Sequence, residues 1–128
     1  MIKLTDKQKL FLRGQADIIV ECFPEQLPIK GYASAIDEET DTQIEQEILR
    51  QLNNGNEWAW CIIRITLQWK NYKGYDYLGA CSYKSMRDFK ESGDYFPDMV
   101  DIAFNDLVDN IESDINNTID SIKELNKE

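Results

Sequence analysis

The sequence predicts an α+β fold with two N-terminal helices, an antiparallel β-hairpin or small sheet, and a long C-terminal helix. Apolar residues recur at three- and four-residue steps before residue 52 and again after residue 98, which is typical of amphipathic helices. Residues 57–69 instead alternate with period two, as a strand requires. A chain of 128 residues is long enough for one core and short for two, so residues 1–128 are predicted to form a single domain.

The N-terminal half contains the two shorter predicted helices. Thr5 is suited to cap the first, which is predicted to run to about Glu21 and to end before Pro24. Its apolar face holds Leu10, Phe11, Gly14, Ile18 and Cys22. The second is predicted from about Asp37 to Leu52, because acidic side chains favour the first turn of a helix and an apolar stripe follows them.

The central strand is predicted over residues 57–69, and both of its faces are apolar. One face holds Ala59, Cys61, Ile63 and Ile65, and the other holds Trp58, Trp60 and Ile62. Helices are therefore expected to cover both faces, or one face meets a partner. Residues 71–74 are typical of a hairpin turn, which predicts an antiparallel partner strand from Tyr75 to about Tyr83 with a bulge at Gly79.

The last predicted helix follows a polar linker at residues 84–93 and begins near Asp98. Its apolar residues continue for about 28 positions, which is longer than a core of this size needs. Residues 112–128 are therefore predicted either to fold back or to form a projecting helical extension. A projecting end would favour a homodimer, because its residues resemble a short coiled-coil seam. The seam residues are Ile111, Ile115, Ile119 or Thr118, Ile122 and Leu125.

Composition argues against several classes of protein. The chain has no histidine and no phosphate-binding loop or nucleophile motif, so we expect no enzyme, no metal site and no cofactor. Its three cysteines form no CxxC pair, which favours reduced thiols and a cytoplasmic location. No apolar run reaches the length of a signal peptide or a membrane span, so no membrane association is expected.

Acidic residues are concentrated in two helical segments of a chain whose net charge is −10. Residues 37–47 and 91–120 contain fifteen of the 24 acids and no lysine or arginine. Carboxylates held at fixed spacing can occupy a site shaped for phosphates, although solvated faces of acidic helices have the same pattern. The residues predicted to bind a basic, nucleic-acid-binding partner are Asp37, Glu38, Glu39, Asp41, Glu45, Asp94, Asp98, Asp101, Asp106, Asp109 and Glu112.

A basic segment separates the two acidic clusters and supports an alternative function. Residues 64–90 hold six lysines or arginines against two acids, interleaved with aromatic residues that could stack on bases. Bases beside a hairpin also protect sheet edges, and aromatic residues fill ordinary strands. The alternative hypothesis is a nucleic-acid-binding accessory protein that uses Lys70, Tyr72, Lys73, Lys84 and Arg87. A third is a structural or assembly protein that dimerises through its last helix.

Residues 54–61 (NGNEWAWC) and 77–83 (YLGACSY) resemble segments of small uncharacterised proteins encoded by bacteriophages. The resemblance covers residues 54–110 and carries no catalytic residues. It implies an anti-defence factor, of the anti-CRISPR or anti-restriction type, in the cytoplasm of a bacterial host. Combined with the acidic clusters, it leads to the main hypothesis: a non-catalytic inhibitor that blocks a nucleic-acid-handling defence complex, as a nucleic-acid mimic or a steric block.

Overall fold

The computed structural model describes residues 1–127 and confirms the α+β class. Its helices are α1 (Asp6–Gln15), α2 (Glu38–Asn53), α3 (Met86–Glu91) and α4 (Tyr95–Leu125), with a 3-10 turn at Glu57–Ala59. Its strands are β1 (Asp17–Pro24), β2 (Cys61–Trp69) and β3 (Tyr72–Cys81). The strands form an antiparallel sheet in the order β1-β2-β3. None of the helices in the described part of the chain has the length and apolar composition needed to cross a membrane.

The chain forms two compact units. The first, unit 1, comprises Met1–Ile19, Thr66–Asp76 and Val100–Glu128, and the second, unit 2, comprises Val20–Ile65 and Tyr77–Met99. The proposed extension at residues 112–128 lies in unit 1, and its last residue is outside the described residues. Buried side chains of unit 1 are Leu12, Thr66, Leu67, Val100, Ala103, Phe104, Leu107, Val108 and Ile111. Those of unit 2 include Ile48, Trp60, Cys61, Ile63, Ile65, Cys81, Phe89 and Met99.

Helix α1 begins as predicted but ends early, so the prediction of helix to Glu21 is wrong. Thr5 Oγ1 accepts from the Gln8 backbone N–H at 3.1 Å, and Gln8 Oε1 accepts from the Thr5 N–H at 2.9 Å, which completes a capping box. After Gln15 the chain enters β1, because the β-branched run at residues 18–20 favours extended backbone. Apolar spacing alone had placed Ile18 on a helical face.

The tryptophans at 58 and 60 do not lie on a sheet face, because the strand begins only at Cys61. Asn56 caps the preceding 3-10 turn by accepting from the Trp58 N–H at 3.1 Å. The buried Trp60 indole donates to the Leu27 carbonyl at 2.8 Å, so its one polar atom is satisfied inside unit 2. Trp58 is half-buried and stacks on Phe89, with ring centroids 6.1 Å apart.

Two further local predictions differ from the structure. The hairpin turn falls at residues 70–71 rather than 71–74, with Lys70 at φ 55°. The predicted polar linker contains α3, whose cap is Ser85: its side chain accepts from the Asp88 N–H at 3.1 Å. Phe89 of α3 is fully buried and also packs edge-on against Tyr83 and Phe96. A single aromatic residue in a polar segment therefore anchors that segment in the core.

Candidate functional site

The acids of α2 divide into those that hold the preceding loop and those that face solvent. Asp37 caps the helix by accepting from the Thr40 N–H at 2.7 Å. Asp41 accepts from the Ile36 N–H at 3.0 Å, and hydrogen bonds from Ser34 and this N–H lower its pKa below the ordinary value. Glu45 accepts from the Gly31 N–H at 3.3 Å. These carboxylates fix the entry to α2 in unit 2.

Glu38 and Glu39 are the predicted α2 acids that remain available to a partner. Both are exposed in the first turn, where the helix dipole favours negative charge, and neither side chain has a hydrogen bond or ion pair within residues 1–127. Asp94 and Asp98 of the same unit are likewise exposed, without side-chain partners in that range. In unit 2, four of the predicted acids are therefore exposed and have no side-chain partner among the described residues.

In unit 1, three of the predicted acids have internal partners. Asp101 forms an ion pair with Arg13 of α1, with 2.7 Å between Oδ1 and Nη2. Asp106 accepts from the Tyr75 backbone N–H at 2.8 Å. Glu112 accepts from the Leu4 backbone N–H at 2.7 Å. These three carboxylates join α4 to neighbouring segments of unit 1. Each accepts a hydrogen bond from a donor that would otherwise have to bond to water.

The outward side of α4 carries Asp109, which is the remaining predicted acid of unit 1, together with Asp120. We define the outer face of α4 as Ile102, Asp109, Ser113 and Asp120, which helical periodicity places on one side. All four are exposed, and Ile102 is 52% exposed despite being aliphatic. Asp109 and Asp120 lie about three turns apart and have no side-chain partner among the described residues. Asp120 was not among the predicted site residues, although it belongs to the acidic segment at residues 91–120 that the sequence reveals.

The alternative basic residues are largely engaged. In unit 1 the Lys70 ammonium lies 5.1 Å from the Trp69 ring centroid, and the Tyr72 ring stacks on Trp69 at 6.4 Å. The Tyr72 hydroxyl donates to Asp114, and this hydrogen bond raises the pKa of Tyr72. The exposed Lys73 offers its carbonyl to Asn110 at 2.7 Å. Tyr72 is thus held in place rather than presented for base stacking.

The other two residues of the predicted basic surface lie in unit 2. Arg87 pairs with Glu91 one turn later on α3, with 2.9 Å between Nε and Oε1. Lys84 is exposed, and its backbone N–H donates to Asp88 at 2.9 Å. The five predicted basic residues are therefore divided between the two units, as are the predicted acids.

Sequence reasoning missed an apolar groove of about 500 Å³ in unit 1. Its lining residues come from the N-terminal segment, α1, the end of β2, and α4. They are Leu4, Lys7, Gln8, Phe11, Leu12, Trp69, Ile111 and Ile115. Phe11 is 66% exposed, although its helical spacing had placed it on the buried face of α1. The buried side of α1 instead contains Leu12, with Lys9 and Arg13 half-buried beside it.

The three thiols of unit 2 are built into its interior. Cys61 and Cys81 are buried, and burial raises the pKa of Cys61 to about 12 and that of Cys81 to about 11. Desolvation also raises the pKa of the half-buried Cys22, which hydrogen-bonds to Cys61. Residues 1–127 contain no group of three or more histidine, cysteine, aspartate or glutamate side chains that could hold a metal ion.

We expect the native protein to react slowly with the thiol reagent DTNB at pH 8. The thiolate is the reactive species, so a pKa raised from 9.0 to about 11 lowers its population by roughly 100-fold at Cys81, and more at Cys61. Absorbance time courses should show Cys22 reacting first and all three reacting rapidly in guanidinium. Cys22→Ser should remove only the fastest phase. Three thiols reacting in the native protein at the unfolded rate would contradict this burial.

Comparisons with protein-family models, curated proteins and solved structures found no match to this chain.

Proposed function

We propose that the protein is a non-catalytic interaction protein that binds a basic, nucleic-acid-handling protein through the outer face of α4. The observation that carries the proposal is the pair of unpartnered carboxylates, Asp109 and Asp120, on the same face as the exposed Ile102. Protein interfaces commonly combine an apolar centre with a polar rim. The face combines one aliphatic contact with fixed negative charges, an arrangement suited to a cationic surface.

Electrostatics favour the same class of partner. The net charge of −10 repels nucleic acid and attracts basic proteins, and complementary charge accelerates association more than it strengthens the final complex. Asp101 is already neutralised by Arg13, so the unpartnered acids supply most of the attraction. Sites that bind nucleic acid are rich in lysine and arginine placed for phosphates, and a row of carboxylates competes for those side chains. Binding is therefore expected to weaken as salt rises.

The proposal includes the inhibitory role suggested by the resemblance to small phage proteins. An anti-defence protein of this kind would occupy the basic site of a host nuclease complex and exclude its nucleic acid. Such inhibition needs no catalytic group on the inhibitor.

We expect Asp109→Lys/Asp120→Lys to weaken partner binding about tenfold, because two attractive rim charges become repulsive. The measurement begins with immobilised wild-type protein and a bacterial lysate, followed by identification of the retained proteins. Each candidate is then purified and titrated at about 50 and 300 mM NaCl. Asp17→Lys/Glu57→Lys is the matched control, because it changes the net charge equally at exposed acids that do not belong to α4.

Two results separate this proposal from general attraction between opposite charges. If the two double variants lose affinity equally, net charge alone is responsible and the outer face of α4 is not the site. If the retained partners bind equally well at both salt concentrations, the acidic face does not drive association. The proposal is supported if Asp109→Lys/Asp120→Lys loses more affinity for the partner than the control variant does, and if the partner is released at the higher salt concentration.

A further inference from the structure

A cavity of about 340 Å³ opens in unit 2 beside the C-terminal end of α2. This volume is within the range of cavities that bind small molecules. Its lining comes from the end of β1, from the end of α2 and the turn that follows it, and from the 3-10 turn with the residue after it. No described residue that lines the cavity is basic, and all of them belong to unit 2.

The cavity carries negative charge from two sources. Glu57 lines it, is exposed, and has no side-chain partner within residues 1–127. Burial and, after it, the negative charge of Glu57 raise the pKa of the Cys22 thiol, which lines the cavity from β1. Leu52 and Gly55 line it at the C-terminal end of α2, where the helix dipole adds partial negative charge. The carboxylate and the helix end therefore attract a cation into the same cavity.

Two aromatic residues, Phe23 and Trp60, also line the cavity. The faces of aromatic rings attract cations, and the Phe23 ring already has the Arg64 guanidinium 4.8 Å from its centroid. Arg64 is neutralised by an ion pair with Glu21, with 2.8 Å between Nη2 and Oε1, and it is not among the lining residues. The negative charge of the cavity is therefore not cancelled by a cation of the protein.

The polar groups of the lining are mostly engaged with the protein itself. The Trp60 indole N–H donates to the Leu27 carbonyl, and the Asn56 side-chain amide is bonded to two backbone groups. At the end of α2, the Leu52 carbonyl accepts from the Gly55 N–H at 3.0 Å. A ligand with several N–H donors would find few free acceptors besides the carboxylate. The lining instead suits a cation that is recognised by its charge and its aliphatic surface, as a quaternary ammonium group is.

We propose that this cavity binds a quaternary ammonium group, with the Glu57 carboxylate as its counter-ion and the Phe23 and Trp60 rings against its methyl groups. Such a cation has no N–H donors to leave unsatisfied when it enters the cavity. Two sources carry this group, namely free choline-like compounds and trimethylated lysine side chains. The site does not depend on the proposed function, since none of its lining residues belongs to α4.

We expect choline chloride to bind with a dissociation constant on the order of 1 mM. NMR titration of the isotope-labelled chain measures it, through saturable shifts of the Trp60 indole N–H and the Gly55 amide. The neutral isostere, in which a tert-butyl group replaces the trimethylammonium group, should bind at least tenfold more weakly because it lacks the charge. Sodium chloride at the same concentrations is the control for ionic strength.

Two variants test the assigned contacts. Glu57→Gln keeps the size of the side chain but removes the counter-ion, and should weaken choline binding about fivefold. Phe23→Leu removes a ring but keeps an apolar side chain, and should weaken it about threefold. Asp17→Asn is the matched control, because it changes the net charge as Glu57→Gln does, at an exposed acid of β1 that does not line the cavity. It should bind choline like wild type.

Acetylated trimethyllysine methylamide, titrated in parallel, distinguishes the two sources of the group. Tighter binding than choline supports a protein side chain as the natural ligand, and binding no tighter than choline supports a free compound. The proposal is overturned if sodium chloride reproduces the choline shifts, or if the neutral isostere binds as tightly as choline. Equal affinity of wild type and Glu57→Gln for choline also overturns it.

Discussion

Replacement of Gly74 by alanine is expected to destabilise the protein by about 3 kcal/mol. Gly74 lies near the start of β3, where a Cβ would overlap the Ala103 carbonyl oxygen and the Leu107 nitrogen, and would lie 2.7 Å from Leu107 Cα. All three atoms belong to the backbone of α4, so no side-chain rotation relieves the overlap. The strand and helix must move apart, which opens the packing around the buried Leu107. Urea unfolding of wild type and variant measures the change.

Gly14→Ala is the control, and it is expected to raise the free energy of unfolding rather than lower it. Gly14 lies within α1, no atom comes within 4 Å of a Cβ built there, and its φ is not positive. Alanine lowers the entropy of the unfolded chain and favours helix, so this variant should gain about 0.5–1 kcal/mol. If Gly74→Ala were as stable as wild type, the close approach of β3 to α4 would be wrong.

Gly74 also illustrates what the sequence does not reveal. The sequence places it in a hairpin turn at residues 71–74, since asparagine and glycine are both common in turns. The turn instead precedes Gly74, and the missing side chain at this position makes room for the backbone of α4. That requirement comes from residues about thirty positions later in the chain, which no local pattern reports. Gly79 similarly faces Glu25, whose Oε1 would lie 3.0 Å from an added Cβ.

Helices whose signals are local were predicted well. Acidic residues in the first turn and an apolar stripe placed α2 within one residue at each end, because both signals lie within the helix itself. The prediction for α1 failed where two patterns competed. Ile18 continues a helical stripe, but with Ile19 and Val20 it also forms a β-branched run, and pairing in the sheet favoured the strand.

The candidate site was predicted only as a set of charges. Sequence spacing placed the acids in two helical segments, although Glu91 belongs to α3 and Asp94 lies in the bend before α4. It gave no information about which carboxylates accept from backbone N–H groups. Those donors belong to Leu4, Tyr75, Gly31 and Ile36, which lie in other segments. The apolar groove escaped prediction for a similar reason, since its lining comes from four separate segments of the chain.

Asp106→Ala is expected to destabilise the protein by about 2 kcal/mol, which is typical for loss of a hydrogen bond to a charged group. Asp106 accepts from the Tyr75 N–H at 2.8 Å and so fastens α4 to β3 close to Gly74. Asp106→Asn keeps an acceptor at that place and should lose less. Asp109→Ala, one turn later at an exposed position, should change the free energy of unfolding by no more than about 0.5 kcal/mol.

The contrast between Asp106 and Asp109 determines how charge-reversal experiments on α4 are interpreted. Reversal of Asp106 removes a structural contact, so a loss of partner binding would follow from damage to unit 1 whether or not the carboxylate meets a partner. Reversal of Asp109 changes only the outer face of α4. If urea unfolding gave equal stabilities for Asp106→Ala and Asp109→Ala, the contact with Tyr75 would not hold α4 in place. Asp106 would then have to be tested for partner binding together with Asp109 and Asp120.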